Sequence, residues 1–341
     1  MEKKWISLTC ALTILLICRT ISVGAARQVI DTKRYKNLCV KRTKNYAPIA
    51  DTDKRAHAIL KLGIEVSTLL NIQTIDSPQH NALCWMIYDD KRKPDPRGSG
   101  RAKFLDRYAL VTLYMNTKGP GWIRSDHWLS KESECSWYGV TCSRPGYLSL
   151  SYRVSNVDIS FNKLTGIIPR EMAYLTELRE LDLNGNSLQG VLPHLMLASL
   201  TKLEKLHLHM NDLFGAIPKE IGNLKKLQEL TLFGNFFFGS IPDEISNLKN
   251  LRVFDIYANN LTGKIPSSLG NLKSLKEFNL NDNEFVGSVP KEICALKLKT
   301  LSADCLGPLP EVSCQCCTLC CKGLPDPKCR DMQAVAVQKK K

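Results

Sequence analysis

Residues 206–224 read LHLHMNDLFGAIPKEIGNL, and this stretch decides the fold because its pattern recurs along the chain. Its fixed positions are Leu208, Asn211, Leu213, Gly215, Ile217, Pro218, Ile221 and Leu224. The pattern occurs six times, with its asparagine at Asn162, Asn186, Asn211, Asn235, Asn259 and Asn283, so one unit takes 24 or 25 residues. Self-similarity at such a period is the signature of stacked, solenoid-forming coils.

Each fixed position has a structural reason. The alternation in Leu181-Asp182-Leu183 points apolar side chains inward from a short strand and the polar one outward. One coil cannot bury its apolar face alone, so the coils stack and their strands form a parallel sheet. Glycine permits a tight bend, and proline then sets an extended path. The asparagine follows the strand, where its amide can bond backbone groups of neighbouring coils that would otherwise be buried unpaired. We therefore predict a ladder of the six asparagines.

The L-x-G-x-I-P half of each unit resembles the plant-type leucine-rich-repeat family, and the resemblance covers residues 154–300. It implies an α/β solenoid: a right-handed superhelix with a parallel concave sheet and cysteine-containing caps, preceded here by a short helical segment. Outside the repeats, stretches such as Ser77-Pro78-Gln79 and Ala303-Asp304-Cys305 are similar to leucine-rich-repeat proteins predicted from diatom genomes.

The chain divides by composition into five segments. The segments are a signal peptide or signal anchor (1–26), a basic, partly helical segment with a linker (27–105), an N-terminal repeat cap (106–150), six repeats (151–300) and a cysteine-rich C-terminal cap with a basic tail (301–341). Two lysines, an apolar run and small residues give the first segment the order of a cleaved secretory signal. The alternative is membrane tethering through residues 5–21. Either way, we expect a secreted or cell-surface protein.

The net charge of +14 is unevenly spread. Residues 27–107 hold more than half of it, whereas the repeats are nearly neutral. The repeats are therefore not expected to bind nucleic acid. A secreted basic segment would suit an anionic polysaccharide or a lipid surface, or would serve only as a solvated face.

The cysteines indicate caps at both ends of the repeats. Of the 14 cysteines, two lie in the signal, and an even number after a secretory signal is typical of disulfides. Eight fall between Cys294 and Cys329, and their pairing cannot be read from sequence. The order Cys-x-Trp-x-Gly-Val-x-Cys at 135–142 looks like the paired-cysteine cap of the same family, which implies a Cys135–Cys142 disulfide with Trp137 over the first coil. Metal sites of zinc or metallothionein type are the alternatives, and we predict none.

Equivalent outward positions of successive strands should form columns on the concave face. Strands in a sheet lie about 4.8 Å apart, so His209, Phe233 and Tyr257 should be contiguous. Exposed aromatic residues beside polar groups are typical of binding hot spots, although the rings could instead only stabilise the sheet. His207 and His209 point the same way, which suits a pH-sensitive contact. The predicted ligand-binding residues are His207, His209, Phe233, Tyr257, Asp182 and Asp255.

No catalytic motif is present: the chain lacks Gly-x-Ser-x-Gly, His-Glu-x-x-His and a phosphate-binding loop. We therefore expect a recognition protein without enzymatic activity or cofactor. Its partners would be a protein or polysaccharide at the cell surface, and a membrane-bound co-receptor for any signal. The alternatives are an inhibitor of a secreted hydrolase and a structural wall or surface component. Asn260-Leu261-Thr262 is the sole N-glycosylation sequon.

Overall fold

The computed structural model describes residues 37–39, 47–144, 146, 151–306, 310–321 and 329–331. The expected signal or anchor at 1–26, including the apolar run at 5–21, lies outside the described residues. So does the basic tail after residue 331. Of the helices in the described ranges, none is both long enough and apolar enough to cross a bilayer.

Helices dominate the part of the chain before the repeats. The α-helices are α1 (Lys54–Val66), α2 (Leu69–Gln73), α3 (Pro78–Cys84), α4 (Arg101–Asn116), α5 (His194–Ser199) and α6 (Lys291–Cys294). The Ser77 side chain accepts a hydrogen bond from the backbone nitrogen of His80, so serine caps α3 and Pro78 occupies its first turn. The segment boundary expected after residue 105 falls inside α4.

Each coil contributes at least two short strands. The strands are β1 (Val140–Ser143), β2 (Arg153–Asp158), β3 (Thr165–Ile167), β4 (Glu180–Asp182), β5 (Ser187–Gly190), β6 (Lys205–His207), β7 (Asp212–Gly215), β8 (Glu229–Thr231), β9 (Phe236–Gly239), β10 (Val253–Asp255), β11 (Asn260–Gly263), β12 (Glu277–Asn279), β13 (Glu284–Phe285), β14 (Gly287–Ser288), β15 (Thr300–Ala303), β16 (Val312–Ser313), β17 (Leu319–Cys321) and β18 (Cys329–Asp331).

The main sheet has the order β1-β2-β4-β6-β8-β10-β12-β15-β17-β18. Its inner strands pair in parallel, coil on coil, as the repeat pattern predicted. The end pairs β1–β2 and β17–β18 are antiparallel, so the caps close the sheet with reversed strands. The outward side of the main sheet is called the concave face below.

A second sheet runs along the coils in the order β13-β11-β9-β7-β5-β3. The sequence pattern indicated only a bend at the repeat glycine, whereas this glycine ends a strand. Gly215 has φ +95°, and a Cβ there would lie 2.8 Å from the Cγ1 of Val191. Glycine is therefore required both for the backbone conformation and for the close approach of the preceding coil.

The core is continuous from the helices through the repeats. Leu206, Leu208 and Leu213 of one coil have no exposed surface, and Tyr108 and Leu110 of α4 belong to the same cluster. Buried polar bonds join the two parts, since the Ser67 hydroxyl donates to Glu171 at 2.7 Å. The N-terminal helices therefore pack as part of the cap.

The cysteines of both caps are paired. The Cys135–Cys142 disulfide is confirmed, and a Cys39–Cys84 disulfide ties the N-terminal segment to α3. The C-terminal disulfides are Cys294–Cys316, Cys305–Cys320, Cys314–Cys317 and Cys321–Cys329. The sulfurs of Cys305, Cys314 and Cys317 lie within 4.8 Å of one another, but all three belong to disulfides and offer no thiolate to a metal.

Candidate functional site

The asparagine ladder fixes the coils that carry the concave face. The Oδ1 atom of Asn211 accepts from the Leu188 nitrogen at 3.0 Å. Its Nδ2 donates to the carbonyls of Leu183 at 3.0 Å and Leu208 at 3.1 Å. Each amide thus bonds its own coil and the preceding one, which satisfies buried backbone groups. Equivalent bonds recur at Asn235, Asn259 and Asn283.

The two ends of the ladder join the caps. At the first coil, the Nδ2 of Asn162 donates to the Arg124 carbonyl and its Oδ1 accepts from the Arg124 nitrogen. The first coil is therefore held to the N-terminal cap. At the last coil, the Asp304 carboxylate accepts from the Asn283 nitrogen at 3.4 Å. An aspartate thus ends the series.

Three rings stack along the concave face, and we call His209, Phe233 and Tyr257 the aromatic stack. The ring centroids of His209 and Phe233 are 4.3 Å apart, with planes inclined by 21°. Those of Phe233 and Tyr257 are 4.5 Å apart, with planes inclined by 12°. All three side chains are half-buried. The rings cover one another's faces, so the stack offers its edges to a ligand.

A charged cluster lies beside the aromatic stack, formed by Asp182, His207 and Glu229. The Nδ1 of His207 lies 3.3 Å from an Asp182 carboxylate oxygen, and its Nε2 lies 3.0 Å from a Glu229 oxygen. Both nitrogens can donate at once only when the imidazole is protonated. Burial lowers the pKa of His207, but the two carboxylates outweigh burial and hold this pKa above its ordinary value. The two carboxylates thus favour the protonated form of His207.

The second histidine has a different environment. The Nδ1 of His209 lies 2.9 Å from the Thr231 hydroxyl. Burial lowers the pKa of His209, and the neighbouring His207 lowers it further. Near neutral pH, His209 is therefore the uncharged member of the pair and behaves as part of the aromatic stack.

Asp255 lies in the same outward column as Asp182 and His207, through the register His207–Thr231–Asp255. One carboxylate oxygen accepts from Asn279 at 3.2 Å. The other is buried and has no partner among the described residues. Burial raises the pKa of Asp255 to about 6. When it is ionised, this carboxylate adds negative charge to the concave face.

The concave face is acidic although the whole chain has a net charge of +14. Its outward positions carry the carboxylates of Glu180, Glu229, Glu277, Asp158, Asp182 and Asp255. Lys205 and His207 are basic residues of the same columns in β2, β4, β6, β8, β10 and β12, so the carboxylates outnumber them. The face therefore favours a cationic ligand over an anionic one.

The sequence predicted six ligand-binding residues and did not indicate some of the side chains that lie beside them in the structure. Glu229 bonds His207, and the shared register of β6 and β8 could have revealed this contact. Met210 and Phe161 are exposed beside the third outward column. Their position lies just before the ladder asparagine, where the repeat pattern fixes no residue type, so the pattern gave no signal. The sequon residue Asn260 lies elsewhere, exposed at the start of β11 on the second sheet.

Comparison with known proteins identifies the repeats. Residues 147–312 match the family model described as a leucine-rich repeat region. The chain is similar to phytosulfokine receptor 1 of Arabidopsis thaliana, with 32% identity over 108 residues, which is 32% of this chain and 10% of that receptor. The chain thus spans about a tenth of the length of this curated relative.

Solved structures agree in fold. The chain is similar to a plant ice-binding protein, with 29% identity and a TM-score of 0.54 over 62% of this chain and 64% of the other. It is also similar to the Arabidopsis receptor kinase HAESA, solved with the peptide hormone IDA and the co-receptor SERK1. There the identity is 31% and the TM-score 0.52, over 57% of this chain and 33% of the other.

Proposed function

This chain is a plant-type leucine-rich-repeat protein, and we propose that it is a non-catalytic recognition protein of the cell surface or extracellular space. It binds a protein or glycan ligand on the concave face, at the aromatic stack and the neighbouring acidic residues. Within this class, a peptide segment that carries lysine or arginine fits best.

The aromatic stack is the observation that carries the proposal. Three half-buried rings in adjacent coils form a rigid surface, and little side-chain entropy remains to be lost when a ligand binds them. Aromatic residues at the centre of a polar surface are the usual anchors of protein interfaces. The rings also contribute to the sheet itself, and this contribution does not occupy their outward edges.

The charge of the concave face supports the choice of a basic ligand. Asp182 and Glu229 already hold His207, whereas Asp255 keeps a buried oxygen without a partner among the described residues. A lysine or arginine side chain beside Tyr257 could pack its methylene groups against the ring, and the negative charge of the Asp255 carboxylate would attract its cationic end. A neutral glycan could stack on the rings and donate its hydroxyls to the carboxylates, but it would gain nothing from the negative charge of the face.

The relatives support an extracellular setting and a peptide ligand. HAESA was solved with a peptide hormone and a co-receptor, and PEPR1, with 26% identity and a TM-score of 0.51, was solved with AtPEP1. The six disulfides of the described residues suit an oxidising compartment. A membrane-bound co-receptor would complete a signalling complex. Under this proposal the chain itself catalyses nothing.

A displayed library of random peptides tests the proposal. The full chain is presented as wild type and as the triple variant His209→Ala, Phe233→Ala, Tyr257→Ala, and peptides are selected on each. We expect peptides rich in lysine or arginine to be enriched on the wild type and not on the triple variant. The enriched peptides should also dissociate more readily as salt is raised, since part of their affinity is electrostatic.

A matched control shows whether a loss of peptide binding is specific to the aromatic stack. The variant Phe214→Ala, Phe236→Ala, Phe238→Ala removes three exposed rings from the second sheet instead of the concave face. It should select the same peptides as the wild type. Equal enrichment on all three proteins, each with the same unfolding temperature, would place any binding outside the aromatic stack and refute the proposal.

A further inference from the structure

Three exposed phenylalanines adjoin one another on the second sheet, away from the concave face. Phe214 of β7 pairs with Phe236 of β9. The exposed fractions are 47% for Phe214, 56% for Phe236 and 52% for Phe238. We call these three residues the phenylalanine patch. Contiguous exposed aromatic surface on a soluble protein usually marks a face that something covers.

Asn260 lies at the border of the phenylalanine patch. It pairs with Phe238 across the β9–β11 ladder. Phe237 and Leu261 are buried, so their exposed neighbours Phe236, Phe238 and Asn260 point to the same outer side of the second sheet. Adjacent strands lie about 4.8 Å apart, and a group attached to the Asn260 side chain would therefore begin one strand away from Phe238.

The residue at this border is the acceptor of the sole sequon, Asn260-Leu261-Thr262. The disulfides of the described residues suit the oxidising compartment in which such sequons are glycosylated. In this reaction, the Asn260 side-chain nitrogen loses one proton and bonds the anomeric carbon of the first sugar. A lipid-linked oligosaccharide supplies the sugar and releases its lipid pyrophosphate as the leaving group.

We propose that an N-linked glycan on Asn260 covers the phenylalanine patch. The C–H groups on a sugar-ring face pack against aromatic rings, while the sugar hydroxyls face water. The glycan thus solvates an apolar surface that would otherwise favour self-association. It leaves the concave face free, because the patch and the aromatic stack lie on different sheets. This inference does not depend on the identity of the concave-face ligand.

The first part of the test establishes the modification. The full chain is secreted from eukaryotic cells, and its intact mass is measured before and after treatment with peptide N-glycosidase. The wild type should lose the mass of one N-glycan, and the variant Asn260→Gln should lose none. An unchanged mass of the wild-type protein overturns the proposal.

The second part tests whether the glycan covers the phenylalanine patch. The readout is the fluorescence of the apolar dye 8-anilinonaphthalene-1-sulfonate. Asn260→Gln should bind more dye than the glycosylated wild type, by about twofold or more. Adding Phe236→Ser and Phe238→Ser to this variant should remove the increase. All proteins are compared at matched unfolding temperature, so that partial unfolding does not account for dye binding.

A displaced sequon is the matched control. Glu284→Asn with Val286→Thr, in the Asn260→Gln background, moves the acceptor to β13, two strands from β9. A glycan there should leave dye binding high. The proposal fails if the glycan is present yet Asn260→Gln binds no more dye than the wild type. It also fails if sedimentation shows that the glycosylated wild type forms a dimer through the phenylalanine patch. A second copy of the chain would then cover the patch in place of the glycan.

Discussion

The ring of Phe233 stacks on the ring of Tyr257, with centroids 4.5 Å apart and planes inclined by only 12°. The two residues are 24 positions apart in sequence and occupy the same place in successive coils. The repeat therefore sets both the separation and the near-parallel planes of the rings. A contact of this kind can stabilise the sheet and also present a surface to a ligand, and the two roles can be measured separately.

The stability role is tested by a double-mutant cycle. Phe233→Leu and Tyr257→Leu each keep apolar bulk but remove the stacking partner. We expect a coupling free energy of unfolding of about 0.5 to 1.5 kcal/mol, the usual value for an aromatic pair. Urea unfolding of the wild type, both single variants and the double variant gives this value. A coupling indistinguishable from zero would mean that the stack makes no contribution to the sheet.

The asparagine ladder predicts a much larger loss of stability on mutation than the aromatic stack does. Asn235→Ala removes the acceptor of the Leu213 nitrogen and the donor to the Leu208 and Leu232 carbonyls, all of them buried. Unpaired buried backbone groups should lower the free energy of unfolding by about 2 to 5 kcal/mol. Asn250→Ala is the control, because its bond to the Lys225 carbonyl is exposed, and it should change stability by less than about 0.5 kcal/mol. Equal losses from both variants would contradict this account of the ladder.

The raised pKa of Asp255 predicts that removing its carboxyl group stabilises the protein by an amount that depends on pH. The folded-state pKa of about 6 lies above the value of 3.8 expected for the unfolded chain, so the unfolded state releases its proton at lower pH. Stability therefore falls as pH rises through this window and stays lowered above it. Asp255→Asn should raise the free energy of unfolding at pH 7.5 by roughly 1 to 3 kcal/mol, with the gain vanishing near pH 4. A gain independent of pH would exclude ionisation as its cause.

The buried ion pair between the segment before α4 and α4 itself predicts that the N-terminal helices and the cap unfold together. The Arg107 guanidinium donates twice to Asp90 at 2.9 Å, and the two side chains are only 1% and 0% exposed. Arg107→Ala leaves the Asp90 charge buried without its partner and should cost about 3 to 5 kcal/mol. The exposed Arg97–Asp95 pair, at 55% and 53% exposure, is the control, and Arg97→Ala should leave the unfolding curve unchanged. Independent melting of the helices in Arg107→Ala would show that the cap is a separate unit.

The sequence predicted the parts of the fold that the repeat determines. The spacing of the asparagines gives the register, and the register brings His209, Phe233 and Tyr257 together. Ser77 followed by Pro78, at the start of α3, is also a signal that lies within a few residues of sequence. In these cases the interacting positions are adjacent in sequence or related by the period.

The features that the sequence did not predict depend on packing between distant segments. The Cys39–Cys84 disulfide joins residues separated by 45 positions, and no repeat relates them. Glu171 is buried against Ser67 because the helices cover the first coil, although the same position in the third repeat, Glu220, is only partly buried. The phenylalanine patch was missed because the repeat pattern specifies inward residues and leaves the outward ones of the second sheet unconstrained.

The most direct test of the central claim is the affinity of the full chain for a lysine- or arginine-bearing peptide selected on it. Calorimetry would compare the wild type with the His209→Ala, Phe233→Ala, Tyr257→Ala variant and with Asp255→Asn. We expect the triple variant to bind about 30-fold or more weakly, as for the loss of hot-spot residues. Asp255→Asn should bind more weakly than the wild type at pH 7.5, because a ligand cation loses a carboxylate partner. Wild-type affinity in the triple variant would contradict recognition at the concave face.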